Sequence, residues 1–231
     1  MFRLYRQQIL PGATLECAAP EEWGLRTGDL VVCQWEKTLE AGRIQGECDE
    51  EPAETLDAWE ERRRLQSIRR LEGTKLPVAL RRAGQEDLRT IRDNERIATG
   101  LLPRIQERVR ANHLDNMHLT ALHLTLDAKV LLCLYVAEGR VDFRALLKDL
   151  NAMLPYRLEM RQISHPQEAS ILGGIGVCGR TLCCHSFLSL KVASARPTQQ
   201  LPASKIGLCG DPRCCLRFEI PDSPRRPPHQ P

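Results

Sequence analysis

Between Val177 and Cys215 the chain writes one phrase twice. Residues 177–184 read Val-Cys-Gly-Arg-Thr-Leu-Cys-Cys, and residues 208–215 read Leu-Cys-Gly-Asp-Pro-Arg-Cys-Cys. Six of the ten cysteines lie in these copies, each of which spells C-x4-C-C, with Cys178 and Cys209 separated by 31 positions. Two matched thiol clusters make a pocket of soft ligands, which suits a metal or a redox centre. From Ser164 onward the pattern dissolves into Gly, Pro, Cys and short apolar pieces. Such a segment buries little apolar surface, so a bound metal is expected to organise residues 165–220.

The compartment decides how cysteines are read. An apolar share of 42% with 27% charged residues is an ordinary soluble balance. The opening MFRLYRQQILPG carries arginines where a signal peptide needs an apolar run. The longest apolar stretch, Val130 to Ala137, is far short of the roughly 20 residues a membrane helix requires. A cytoplasmic protein without membrane insertion is expected, and in that reducing setting clustered cysteines point to metal ligands or catalytic thiols. A net charge of +3 and 4% aromatics give no basis for a base-stacking nucleic-acid platform, so direct nucleic-acid binding stays open. No Gly-rich phosphate loop, serine nucleophile elbow or H-E-x-x-H is present, and the expectation is a protein that is not an enzyme.

The rest of the chain predicts an α+β fold in several parts. Residues 1–50 read as a β-rich subdomain, with strands at Leu4–Leu10, Thr14–Ala18, Asp29–Trp35 and Arg43–Cys48. Turns at Pro11-Gly12, Thr27-Gly28-Asp29 and Ala41-Gly42 suggest a small antiparallel sheet or barrel. Residues 51–83 read as a charged helical linker. A conserved-type α+β domain is expected over 84–220. It opens with a long helix from Glu86 to Asn112, which Pro103 should kink or interrupt. His118–Leu126 and Val130–Ala137 then form a hairpin, Val141–Met153 a helix and Arg157–Ile163 a further strand, giving a strand-strand-helix-strand layer before the Cys-rich loop region. Residues 221–231, with five prolines, read as a disordered tail.

Iron–sulfur clusters of the cubane type take four thiolates, often several from one loop and others from elsewhere. Cys178 with Cys183 or Cys184, and Cys209 with Cys214 or Cys215, supply such a set with pseudo-twofold symmetry. Adjacent cysteines point different ways from one backbone, so both members of a pair rarely share one metal ion. Gly179 and Gly210 follow the leading cysteines and allow a sharp turn that brings N–H groups near sulfur, and Arg180 offsets thiolate charge. A four-cysteine zinc site is the alternative cofactor, within a nucleic-acid-binding module, and a thiol redox protein is a third reading. Cys17, Cys33, Cys48 and Cys133 stand singly in strand-like segments and read as small core residues. His185 follows a cysteine pair but is left out of the ligand set, and His113, His118 and His123 are not spaced for one metal.

These residues resemble the bacterial RicT/YaaT family, the stage-0-sporulation-type regulators with a PSP-type C-terminal domain. The likeness runs from about Leu88 to Glu219. It is carried by Gly139-Arg-Val-Asp-Phe-Arg144, Lys148-Asp-Leu150, Glu159-Met-Arg-Gln-Ile163, Gly173-Gly-Ile-Gly-Val-Cys-Gly-Arg-Thr-Leu-Cys-Cys184, Phe187-Leu188 and Cys214-Cys-Leu-Arg-Phe-Glu219. Asp211-Pro-Arg213 departs from the family, which prefers Arg-Leu and an apolar residue there. The resemblance implies a non-enzymatic regulator carrying [4Fe–4S] clusters, with Cys178, Cys183, Cys184, Cys209, Cys214 and Cys215 at the family's cysteine positions. It also implies protein partners: two small helical regulators, and an RNA-processing endoribonuclease whose maturation of messenger RNA the complex stimulates.

Overall fold

The computed structural model describes residues 1–10, 13–35, 37–48, 77–186 and 205–216. The chain divides into two compact units, Met1–Ile163 and Ser164–Pro231.

In the first unit, β1 (Phe2–Leu10), β2 (Ala13–Pro20), β3 (Leu30–Trp35), β4 (Thr38–Glu47) and β5 (Val78–Arg82) close a barrel in the order β1-β2-β5-β3-β4. Alternation fills it: Tyr5, Cys17, Ala19, Val31, Cys33 and Ile44 pack inside. At the centre Gln7 is fully buried, donating through Nε2 to Val31 O at 3.2 Å and accepting from Cys33 Sγ at 2.7 Å.

This polar plug explains where the sequence reading of the barrel fails. Ala41-Gly42 is not a turn; it lies within β4, where Gly42 pairs with Val31. A Cβ at Gly42 would lie 2.5 Å from the Gln7 side chain, so glycine is needed there for close approach, not for reversal. The reversal falls between Trp35 and Thr38, whose hydroxyl donates to Trp35 O at 3.0 Å. The expected helical linker over 51–83 is also corrected at its end: Val78–Arg82 is a strand, antiparallel to β3 and touching β2, and it completes the barrel. Its earlier part, the Pro11-Gly12 turn and the 221–231 tail lie outside the described residues.

After β5 comes α1 (Gln85–Ala111), which runs through Pro103 without interruption. Pro103 is on the exposed side while Ala98, Ile105 and Val109 are buried, so the lost backbone bond faces solvent and packing holds the helix together. β6 (Met117–Leu124) and β7 (Val130–Ala137) form the expected hairpin, and β8 (Arg157–Gln162) lies parallel to β7 after the crossover helix α2 (Arg144–Met153). Asp142 sets the start of α2: Oδ1 accepts from Arg144 N at 3.2 Å, while Oδ2 pairs with the Arg144 guanidinium at 2.6 Å. Leu131, Cys133, Leu146 and Leu150 are almost wholly buried and centre a core shared with Ile105, Val109, Leu119 and Leu124. The α+β expectation therefore holds. Barrel and layer meet where Leu126 N donates to Leu39 O at 2.9 Å and where the Arg161 guanidinium sits 5.2 Å from the Trp35 ring centroid.

Candidate metal centre

The second unit opens with a helix that periodicity does not reveal, α3 (His165–Leu172). Ser164 caps it by accepting from Gln167 N, and the Gln167 side chain returns to Ser164 N at 2.9 Å. The S-x-x-Q box with Pro166 near the helix start was the available signal.

The two cysteine phrases fold alike, bond for bond. Gly176 N donates to Arg180 O and Gly207 N to Asp211 O, both at 2.8 Å. Gly179 N donates to Gly176 O at 2.9 Å and Gly210 N to Gly207 O at 3.0 Å. Leu182 N reaches Gly174 O at 3.0 Å, and its counterpart Arg213 N reaches Lys205 O at 2.9 Å. Ile175 bridges Thr181 as Ile206 bridges Pro212. The sequence repeat is therefore a structural repeat of two hairpins. Gly179 and Gly210 take φ of +77° and +80°, which favours glycine at both turns. Their N–H groups close the turns onto carbonyl oxygens rather than being free for sulfur. In each hairpin the leading sulfur sits beside the glycine two residues before it: a Cβ at Gly176 or Gly207 would lie 3.6 Å from Cys178 Sγ or Cys209 Sγ.

The first trailing pair opens the short helix α4 (Cys183–Ser186). A clasp to α3 fixes it: the buried Ser170 hydroxyl donates to Cys184 O at 2.6 Å, and His185 Nδ1 lies 2.7 Å from Ser170 O. A carbonyl only accepts, so Nδ1 carries the proton. The imidazole lies over Gly173, where an added Cβ would be 3.1 Å from the ring. His185 is thus an anchoring residue of the first loop, a role its sequence position did not reveal.

Thiols of the two loops lie near enough to disfavour one another's charged form. Burial and the nearby Cys209 and Cys183 push the Cys184 thiol up. Cys214 is pushed up to about 11 by burial and by Cys184, Cys209 and Cys183. Cys183, Cys184, Cys209 and Cys214, two from each copy, thus lie within range of one another's charge. Cys178 is exposed at the rim, Cys215 is half-buried, and Arg180 is exposed. Among the described residues, no three His, Cys, Asp or Glu side chains converge into ligating geometry. The donor chemistry fits a thiophilic cation: burial and neighbouring thiols raise Cys184 and Cys214, and a bound cation reverses that penalty. By contrast Cys17, Cys33 and Cys133 are sealed in the core. Burial pushes the Cys133 thiol up to about 12, and the Cys33 hydrogen bond and burial raise Cys17, so Cys133 and Cys17 are inert. Cys48 is only half-buried, unlike the core residue expected.

Residues 78–163 match the family model described as the PSP1 C-terminal conserved region. The chain is 39% identical over 150 residues to the stage 0 sporulation protein YaaT of Bacillus subtilis (strain 168). Over these residues the chain is similar to YaaT, and over 78–163 it carries a match to the PSP1 C-terminal conserved region. The aligned part is 62% of this chain and 54% of YaaT, so the chain spans about half the length of that relative. The PSP1 match begins at β5 and ends with Ile163, before the cysteine hairpins. No solved structure matches the chain. No described helix is long and apolar enough to cross a membrane.

Proposed function

We propose that this YaaT-like chain is a non-enzymatic regulatory protein whose paired C-x4-C-C hairpins hold an iron–sulfur cluster, and that it acts in the cytoplasm by docking partner proteins of RNA processing. One observation carries the reading: two hairpins of the same construction put Cys183, Cys184, Cys209 and Cys214 within one another's electrostatic reach. Cys178, Cys183, Cys184, Cys209, Cys214 and Cys215 are the thiols that would hold the group, and it would supply one-electron redox chemistry or a structural clamp. Gly179 and Gly210 set the turns, and Arg180 would lie at the exposed rim. Exposed Val177 and Leu208 stand at equivalent hairpin tips and are suited to a protein partner.

Zinc is the second reading. A cysteine held in a glycine turn, followed by another at the start of a short helix, is a ligand placement that tetrahedral zinc also uses. Anaerobic purification with iron, sulfide and zinc analysis of one sample separates the two. Matching iron and sulfide with broad visible absorption supports the cluster. A colourless protein with stoichiometric zinc replaces it with a structural finger, and a protein free of metal rejects both.

A further inference from the structure

The three-stranded sheet of the first unit has two edges, β6 and β8. β6 is tied to its surroundings: Gln106 of α1 donates to Leu119 O at 3.3 Å, and His123 Nε2 lies 3.0 Å from Glu40 Oε2 in the barrel. β8 differs. Arg157 N donates to Lys129 O at 3.0 Å and Ile163 N to Tyr135 O at 2.8 Å, so its odd-numbered residues turn their peptide groups toward β7. In a parallel ladder the residues between them turn theirs the opposite way. The N–H and C=O groups of Leu158, Met160 and Gln162 therefore point off the edge, and among the described residues no backbone bond meets them. Such a row is a template for another strand.

The side chains alternate with the same period. Leu158 and Met160 pack against the core of the layer, which leaves Arg157, Glu159 and Arg161 on the opposite face. Arg157 Nη2 lies 3.7 Å from Glu159 Oε1, and the Arg161 guanidinium rests on the Trp35 ring. An edge of one sign would repel its own copy. This edge reads positive, negative, positive, which repels a copy in some registers and attracts it in others.

Backbone geometry and charge together select one register. A strand lying antiparallel to its own copy crosses a two-fold axis. Its outward peptide groups meet only where even-numbered residues lie opposite even-numbered ones. Two such registers pair most of β8. One is centred on Glu159; it sets Glu159 against its own copy and Arg157 against Arg161, so every facing charge is a like charge. The other is centred on Met160. It sets Leu158 opposite Gln162 and, on both sides of the axis, Glu159 opposite Arg161. These last pairs fall at the non-hydrogen-bonded positions, where Cα atoms are about 4.5 Å apart and side chains approach closest.

We infer that β8 is the edge through which two copies of this chain associate, antiparallel about a two-fold axis at Met160, with Glu159 of each copy facing Arg161 of the other. The pairing joins two three-stranded sheets into one continuous sheet. It is independent of the metal reading, since no cysteine takes part.

The test takes the full chain under reducing conditions through a dilution series, followed by sedimentation velocity and amide hydrogen exchange. A monomer–dimer equilibrium is expected, in which the amides of Leu158, Met160 and Gln162 gain protection as the dimer forms. Glu159→Arg and Arg161→Glu should each weaken the dimer about tenfold or more, and the two combined should restore it. That restoration separates charge pairing from a folding defect in either single variant. A chain that stays monomeric throughout the series would overturn the inference. A dimer that leaves these three amides unprotected, or that ignores the charge reversals, uses another surface and would overturn it as well.

Discussion

Gly42 and Gln7 show how one residue fixes the chemistry of its neighbour. The Gln7 amide fills the space in front of Gly42, so Gly42→Ala forces a Cβ to within 2.5 Å of it. Overpacking of this kind costs about 1–3 kcal/mol. We expect a urea midpoint lowered accordingly and partly restored by adding Gln7→Ala. At the metal centre, the raised Cys184 and Cys214 thiols give a sign for pH. Both hold their proton more tightly folded than unfolded, so in metal-free protein their contribution to stability is complete below the ordinary thiol pKa. It falls as pH rises from there through about 11, the Cys214 value. Thermal melts of chelated protein should therefore weaken across that alkaline window. Loss of this dependence in Cys214→Ser would assign it to the cluster, and an unchanged slope would assign it elsewhere.

Single elements were read from sequence in proportion to how local their cause is. The β6–β7 hairpin, α2 and β8 follow from alternation and leucine spacing, and each lies within a few residues of its expected bounds. The first half of β4, ahead of the expected strand at Arg43–Cys48, is hidden because Ala41-Gly42 looks like a turn, and only the distant Gln7 reveals Gly42 as a packing glycine. β5 was missed because Val78–Arg82 gains its strand character from β3, more than forty residues earlier. α3 has almost no amphipathic pattern and is set by its cap. Ser164→Ala should cost it about 0.5–2 kcal/mol. Hydrogen exchange should speed up across 165–172 while β7 keeps its protection, and uniform loss across both would contradict a local capping role. The two cysteine hairpins were legible as a repeat. Their shared hydrogen-bond pattern was not, since main-chain pairing leaves no trace in residue type.

For the whole molecule, the two units differ in what stabilises them. The first unit rests on apolar burial: Leu146 and Leu150 lie at most 1% exposed between α1 and the sheet. Leu150→Ala should lower its stability by about 2–5 kcal/mol, read as a shifted denaturant midpoint with an unchanged slope. In the second unit the described buried side chains are few, Ser170 and Leu216, so the thiol centre is the proposed source of its order. The α+β class and the PSP1 region were legible from pattern and motif. The clasp of Ser170 and His185, which positions Cys184, was not, because it joins residues that no periodicity relates.

The direct test of the central claim compares wild-type chain with Cys214→Ser, both purified anaerobically, for iron and sulfide per chain and for protease resistance of residues 165–216. The account predicts matching iron and sulfide in the wild type, with both the metal and the protection lost in the variant. A variant that keeps full metal content and protection would contradict a centre shared between the two hairpins.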